Sequence, residues 1–438
     1  MLKKIYHYLI VHLAYWYYGR PARKLIVVGV TGTKGKSTTC RFIASVLESA
    51  GNKVGLMSTV EFQVAQKRWL NRRKMTMLGR GEVQKMLRDM VRAGCRYAVI
   101  ETSSEGILQY RHHCLHYDIA VFTNLGTEHS ERHGGFENLR RDKGKLFAAL
   151  NEKRKIIGGV PVPKVIAVNL DDANAPYFLN FNADKKVGYC LNKPKDSYHL
   201  SSIICPNQNQ TFSDHSEIYI AGQQYSVNLS GSFNVYNALA AIAVGQTQKI
   251  STQTLAKGIA AVTLVPGRME FIEAGQNFKV IVDYAHEPLS LTALFESLRA
   301  LVGNNGRVIA VIGSDGGGRD VSKRGKMGEV AGRLADMVVV TDVNCFDEDP
   351  RAIAEMLAVG ARSAGKRDGQ DLYIEIDRRR GFELAFNLAR AGDVVVLTAK
   401  GTEPCIIVAG GKKIPWDDRA VARELLALPK YGLLTKIA

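Results

Sequence analysis

The segment Gly32-Thr33-Lys34-Gly35-Lys36-Ser37-Thr38 prescribes a chemistry more directly than any other in this sequence. Glycines let consecutive backbone N–H groups close around phosphate oxygens, and a helix starting at the end of such a loop adds its positive dipole end. Lys36 is then placed to reach the β- and γ-phosphates of a nucleotide, and Ser37 to hold Mg2+. The strict phosphate-loop spacing asks for glycine at Val30, whereas the glycine here is the adjacent Gly29. A second set of reactive side chains follows two short apolar runs. Glu101-Thr102-Ser103-Ser104 comes after Tyr97–Ile100. Thr123-Asn124-Leu125, then Glu128 and His129, come after Ile119–Phe122. In a parallel sheet the carboxyl ends of the strands line the ligand crevice. Glu101 and His129 are therefore expected to face the same nucleotide as Lys36. A carboxylate and an imidazole suit a divalent cation; each alone would more often be a loop hydrogen-bonder, and it is their pairing behind a phosphate loop that favours metal.

The elements that must position these groups read as α/β. Leu25–Val30 is a short apolar run, as in a buried parallel strand, and the helical pattern after the glycine loop stops near Gly51. Val54–Ser58 reads as another strand. Val83, Met86, Leu87, Met90 and Val91 repeat at helical spacing, closed by Gly94. Strands alternating with helices imply a mostly parallel sheet covered on both faces. Residues 185–230, broken by Asn, Gln, Ser and Gly, read as an antiparallel flap, and a helix is expected at Tyr236–Gln246. Val265-Pro266-Gly267-Arg268 is the hinge candidate. Beyond it Val280–Asp283, Val308–Ile312, Met337–Thr341 and Val394–Leu397 read as strands of a second α/β domain. The expected organisation is an N-terminal segment 1–24, a P-loop-type central domain 25–265 and a smaller, Rossmann-like C-terminal domain 266–438.

Composition agrees with this architecture and excludes others. A chain of 438 residues suggests two or three domains, and 46% hydrophobic with 23% charged residues excludes a disordered chain, a collagen-like fibre and a small disulfide scaffold. Lys+Arg outnumber Asp+Glu by 59 to 42, a formal charge of +17 that favours an anionic partner. The basic residues are dispersed and no dedicated motif is present, so nucleic acid is not expected. The seven cysteines lack C-x-x-C spacing and read as thiols in a reducing cytoplasm. At the N-terminus, Lys3 and Lys4 precede the uncharged run Ile5–Gly19, which Arg20, Arg23 and Lys24 follow. The run is too short to span a bilayer, and no small-residue cleavage site follows it. Two readings stand: residues 1–20 lie in a membrane interface, making the protein peripheral on the inner face, or they form a helix packed on the protein's own body or on a partner.

The ordered set GTKGKST, ETSS with Gln109-Tyr110-Arg111, FTNL with Glu128-His129, KGKLF, FNVYNA, PGRME at Pro266–Glu270 and DYAH at Asp283–His286 resembles the Mur ligases, especially the MurE type. The resemblance runs from Thr31 to about Arg419. It implies ATP-dependent amide formation: a substrate carboxylate is phosphorylated to an acyl phosphate, and an amine displaces phosphate. Carried over by position, Gly32 to Thr38 hold the ATP phosphates. Ser37, Glu101, His129 and a carbamylated Lys143 hold the metal. Asn234 and Asn237 lie near the adenine, and Arg268 and Asp283 also contact nucleotide. Thr76, Ser103, Gln109 and Arg111 hold the peptide or muropeptide donor; Asn344, Lys400 and Glu403 serve the amino-acid acceptor.

Three departures qualify the resemblance. About 24 residues precede the first strand, too few for the uridine-nucleotide-binding domain of the MurE type, so that domain is expected to be lacking. Glu105 stands where the family has histidine. Val343-Asn344-Cys345-Phe346 replaces the family's Asp-Asn-Pro-Arg, which disfavours diaminopimelate as acceptor and points to lysine or ornithine, then to a small neutral amino acid. The leading expectation is a ligase joining an amino acid to a peptide or muropeptide carboxylate. The alternatives are a polymer ligase resembling cyanophycin or poly-γ-glutamate synthetases, and a catalytically silent, membrane-associated nucleotide-binding subunit. Retention of Lys36, Glu101, His129 and Lys143 counts against the last.

Overall fold

In the computed structural model the described residues are 2–431 except 74, 80, 127–132, 195–198, 213, 303–305 and 319–320, with side chains described from residue 5 onward. The chain forms two compact units, Met1–Thr263 and Leu264–Ala438.

The first unit begins with α1 (Leu2–Tyr17) and enters its sheet at β1 (Ile26–Thr31), every residue of which is buried. Burial on both faces is why this strand is a run of β-branched residues rather than an alternation. Then come α2 (Lys36–Ser49), the strands β2 (Val54–Met57), β3 (Glu61–Val64) and β4 (Lys67–Leu70), and α3 (Glu82–Arg92). They are followed by β5 (Tyr97–Glu101), α4 (Ser104–Leu108), β6 (Ile119–Phe122), α5 (Phe136–Ala148) and β7 (Val165–Asn169). With β8 (Lys185–Tyr189) and β9 (Ser202–Ile204) the strands make one nine-stranded sheet in the order β9-β8-β7-β6-β1-β5-β2-β3-β4. Only the β3–β4 edge is antiparallel. Register is what matters for the site. Val30 pairs with Glu101 and Thr31 with Phe122, so β1, β5 and β6 end level, at one edge of the sheet.

Gly29 has a structural reason. A Cβ there would lie 2.6 Å from the Leu146 and Tyr117 side chains. Its place in the sequence therefore reflects helix and loop packing against β1.

The flap is smaller than its sequence suggests. Residues 185–189 and 202–204 extend the parallel sheet, because Val187, Gly188 and Tyr189 are buried and the Tyr189 hydroxyl donates to the Phe122 carbonyl at 2.7 Å. The antiparallel part is β10 (Gln208–Thr211), β11 (Ser216–Ile220) and β12 (Gln223–Val227), and β11 shows the alternating burial of a one-sided strand. Just past β8 and β9, Cys190 and Cys205 are joined in a disulfide, which corrects the reading of all seven as thiols. The other five form no disulfide among the described residues. Two helices, α6 (Phe233–Thr247) and α7 (Thr252–Ala260), close the unit, with α6 starting three residues before the predicted Tyr236.

The second unit holds β13 (Glu270–Ile272), β14 (Lys279–Val282), α8 (Pro288–Val302), β15 (Val308–Ile312), α9 (Ser322–Leu334) and β16 (Met337–Val340). It continues through α10 (Pro350–Ser363), β17 (Leu372–Ile374), α11 (Arg378–Leu388), β18 (Val394–Leu397) and α12 (Asp418–Leu426). Its six-stranded sheet runs β13-β14-β18-β15-β16-β17 and is parallel except at β13. The short strands β13 and β17 carry too few residues to announce themselves in the sequence.

At the amino end of the first sheet one carboxylate organises the chain. Asp118, fully buried, accepts from the Val27 backbone N–H at 2.9 Å and lies 2.5 Å from Lys155 and 3.1 Å from Lys164. Burial pushes the Lys155 ammonium down to about 8, with Asp118 opposing the shift. Removing the anion leaves two buried cations unpaired. Asp118→Ala is therefore expected to cost about 3–5 kcal/mol in denaturant unfolding; a loss below about 1 kcal/mol would show that the cluster contributes nothing net.

Candidate active site

The glycine loop is clamped between two elements of the first unit. From the β6 side, the Thr33 and Lys34 backbone N–H groups donate to Asn124, to its carbonyl and to its side-chain oxygen, both at 2.8 Å. The Thr123 hydroxyl donates to the Lys34 carbonyl at 2.7 Å, and the Gly126 N–H donates to the Thr33 hydroxyl at 2.9 Å. From the other side, α6 presents Asn237, whose side-chain oxygen accepts from the Thr39 hydroxyl at 3.0 Å. Asn234 accepts from Asn237 at 2.9 Å and donates to the Ser230 carbonyl. Both asparagines are buried. Asn237 lies against Gly35 of the loop, and Asn234 holds Asn237 in place.

Two glycines are required by this clamp. Gly32 has φ 150° and a Cβ on it would fall 2.0 Å from the Thr123 hydroxyl; Gly35 has φ 79° and its Cβ would fall 2.3 Å from the Asn237 oxygen. The second value is a left-handed conformation that side-chain-bearing residues resist. The result is a bare backbone loop leading into the N-terminus of α2, the geometry that receives a phosphate chain. Lys36 lies across it, its Nζ donating to the Thr33 carbonyl at 2.9 Å.

The level strand ends bring further groups to the loop. Glu101, at the end of β5, is buried and accepts from the Ser37 hydroxyl at 2.7 Å, from the Thr59 N–H at 2.7 Å and from the Thr59 hydroxyl at 2.9 Å. A carboxylate against a hydroxyl is an all-oxygen donor pair, the set that Mg2+ prefers. Among the described residues no group of three or more His, Cys, Asp or Glu could hold a metal by themselves. His129 lies outside the described residues. Lys143, on α5, is 4% exposed and donates to the Gly32 carbonyl at 2.8 Å, so it is a component of the loop's surroundings and not a solvated helix lysine.

Of the predicted donor residues, Thr76 is linked to Glu101 through Thr59. Thr76 shares a hydrogen bond of 2.8 Å with Thr59. Ser103 caps α4, accepting from the Gly106 N–H at 3.1 Å. Arg111 donates to Gln109 and to the Met77 carbonyl. Burial lowers the pKa of its guanidinium, and the charge of Glu105, the residue in the place of the family's histidine, opposes the shift. Thr123 and Asn124 are where the strand-end reading put them, whereas Thr59 is not singled out by the sequence: its only signal is position, immediately after the run Val54–Ser58.

In the second unit the two motifs that carry the resemblance hold each other. Asp283 accepts from the Met269 N–H at 2.8 Å and from the Ala285 N–H at 2.7 Å, and the Arg268 guanidinium lies 4.4 Å over the Tyr284 ring. A separate cluster joins the predicted acceptor residues. Lys400, wholly buried, donates to Glu403 at 3.0 Å, to the Asn344 side chain at 3.2 Å and to the Cys405 carbonyl at 2.9 Å. Asn344 donates to Asp315 at 2.7 Å and to Glu403 at 3.2 Å. Phe346, with φ 53°, follows at the surface of this cluster, its ring against Gly317. Two arginines of α11 are engaged with carboxylates: Arg378 pairs with Asp418 at 2.7 Å, and Arg379 with Glu424 at 2.8 Å.

The clamp makes a direct forecast. Gly35→Ala combines a disfavoured φ with overlap on Asn237. Calorimetric titration with an adenine nucleotide is expected to show affinity reduced by at least about tenfold, the equivalent of one to three kcal/mol of local strain. Unchanged affinity would mean that the loop does not contact phosphate.

Comparison with known proteins gives the same account. Residues 30–245 match the Mur ligase middle domain and residues 267–401 the Mur ligase, glutamate ligase domain. The UDP-N-acetylmuramyl-tripeptide synthetase of Roseiflexus sp. (strain RS-1) is 40% identical over 425 residues, which cover 96% of this chain and 82% of that protein. A solved UDP-N-acetylmuramoyl-L-alanyl-D-glutamate--2,6-diaminopimelate ligase is 28% identical with a TM-score of 0.59, covering 92% of this chain and 78% of that one. The Mycobacterium tuberculosis folylpolyglutamate synthase complexed with ADP shares the fold, with a TM-score of 0.66 at 16% identity over 89% of this chain and 91% of that one. With both domain matches in chain order and the phosphate loop clamped as described, the chain belongs to the Mur ligase family.

Proposed function

We infer that the protein is an ATP-dependent ligase that joins an amino acid to the carboxylate of a muramyl peptide through an acyl phosphate, releasing ADP. The observation that carries this is the level ending of β1, β5 and β6, which sets the glycine loop, Glu101 and Lys143 around one point. The relatives named above support the substrate class. Little covalent work falls to the protein. Its residues hold the phosphate chain, orient the donor carboxylate and neutralise developing charge. Lys36 is the cation placed to meet the transferring phosphoryl group. Ser37, Glu101, His129 and Lys143 would hold Mg2+, which supplies charge neutralisation at the phosphate oxygens. Lys143 is the proposed site of carbamylation: its neutral amine adds carbon dioxide and sheds a proton, turning a buried cation into an anion. Arg111 is suited to a carboxylate of the donor.

ADP release by the full chain is expected only when a muramyl-peptide donor and an acceptor amine are both present. Lys36→Ala should lower kcat by about 100- to 1,000-fold, the usual loss of one transition-state charge stabiliser. Nucleotide hydrolysis indifferent to donor and acceptor, or near-normal turnover of the variant, would refute the assignment.

The acceptor reading rests on Phe346. An arginine at that position would offer a fork-shaped partner to a distal carboxylate, and a phenylalanine has no donor. Of the arginines that could substitute from other loops, Arg351 and Arg378–Arg380, two are committed: Arg378 to Asp418 and Arg379 to Glu424. A diaminopimelate carboxylate left without a partner costs at least about 1–3 kcal/mol. An acceptor panel is therefore expected to rank lysine or ornithine above diaminopimelate in kcat/KM, with Glu403 receiving the distal amine. Diaminopimelate as the best acceptor would contradict the reading.

A further inference from the structure

The first helix has an outer face that the ligase reading does not use. On α1, Ile5, Leu9, Leu13 and Trp16 recur at spacings of four, four and three, with Tyr6 and Tyr17 beside them. These six side chains are 48% to 81% exposed. No charged residue occurs between Lys4 and Arg20. A surface helix ordinarily turns a polar face outward, and a contiguous apolar face marks an interaction surface.

The helix cannot roll to hide this face, because its opposite face is already committed. Val11 and Tyr15 are buried, and Tyr8 and His12 pack edge-on against His113. The Tyr15 hydroxyl accepts from Arg23 at 2.9 Å and lies 2.9 Å from the His116 ring nitrogen. Tyr8 also meets Tyr110, between the predicted donor residues Gln109 and Arg111.

We propose that the outer face of α1 is an interfacial docking surface for an anionic lipid bilayer. Three observations select that occupant. The helix has 16 residues, about 24 Å at 1.5 Å per residue, too short to cross a membrane but suited to lying in its interface. None of the helices among the described residues is long and apolar enough to cross one. Its outer face carries Trp and Tyr, which prefer the headgroup level. The apolar face is rimmed by cations. The Arg20 guanidinium lies 4.7 Å over the Trp16 ring, Arg23 and Lys24 are exposed beyond it, and Arg88 lies 4.7 Å over Tyr18. On α3, packed beside α1, Lys85, Arg88 and Arg92 outnumber Glu82 and Asp89. Such a rim complements acidic headgroups.

The test is co-sedimentation of the full chain with vesicles of phosphatidylcholine alone or mixed with phosphatidylglycerol, a readout independent of ligase activity. The parent should bind the mixed vesicles in preference to the neutral ones. The triple variant Leu9→Ser, Leu13→Ser, Trp16→Ser, with unchanged circular dichroism, should bind at least about tenfold more weakly, because interfacial binding scales with buried apolar area. A second measurement does not depend on the triple variant. Bromine-labelled lipid in the mixed vesicles should quench tryptophan emission of the parent and quench far less in Trp16→Phe. Equal partitioning of parent and triple variant, equal quenching in Trp16→Phe, or no binding by the parent would overturn the proposal. Concentration-dependent self-association through this face without vesicle binding would also overturn it, in favour of a second copy of the chain as the occupant.

Discussion

The seating of the glycine loop between β6 and α6 is the constraint on which the first unit depends. Thr123 and Asn124 hold the loop's backbone from one side, and Asn237 closes it from the other, leaving no volume for a side chain at Gly32 or Gly35. Such a clamp fixes where the N-terminus of α2 can begin. It works only if β1 and β6 end in register, which the buried β-branched runs ensure. A binding loop held by polar side chains of its neighbours loses little entropy when it receives phosphate. The same ends deliver Glu101 to Ser37, so the proposed nucleotide and cation positions both follow from one strand register.

Buried cations recur wherever this protein needs a fixed backbone. Lys143 holds the Gly32 carbonyl, Lys155 and Lys164 converge on Asp118, and Lys400 gathers Asn344, Glu403 and the Cys405 carbonyl. An ammonium removed from water is tolerated only with several well-placed acceptors. Each therefore ties distant parts of its own unit to one geometry.

Much of this was legible in the sequence. The strands β1, β5, β6, β14, β15, β16 and β18 show as apolar runs because parallel strands are buried on both faces. The loop shows because few other folds use that glycine and lysine spacing between a strand and a helix. What was illegible has physical reasons. Residues 185–204 lie in a polar context that reads as a flap, although Val187 and Tyr189 are in the core. The partners of the loop, Thr123, Asn124 and Asn237, stand far from it in sequence, and no period encodes a hydrogen bond between them. Asp283 falls in a motif tied by resemblance to nucleotide, and only the structure shows its oxygens receiving the Met269 and Ala285 amides. For α1, composition left two readings open, and the structure answers for one face: it packs on the protein's own body, while the other remains exposed.

The account turns on activation of the donor carboxylate by phosphoryl transfer at this loop. The most direct measurement follows one atom. A muramyl-peptide donor bearing heavy oxygen in its carboxylate is turned over with ATP and an acceptor, and the products are weighed by mass spectrometry. Phosphoryl transfer to the carboxylate predicts heavy oxygen in the released phosphate, with ADP unlabelled. Heavy oxygen in AMP, or in no phosphorus-containing product, would contradict it.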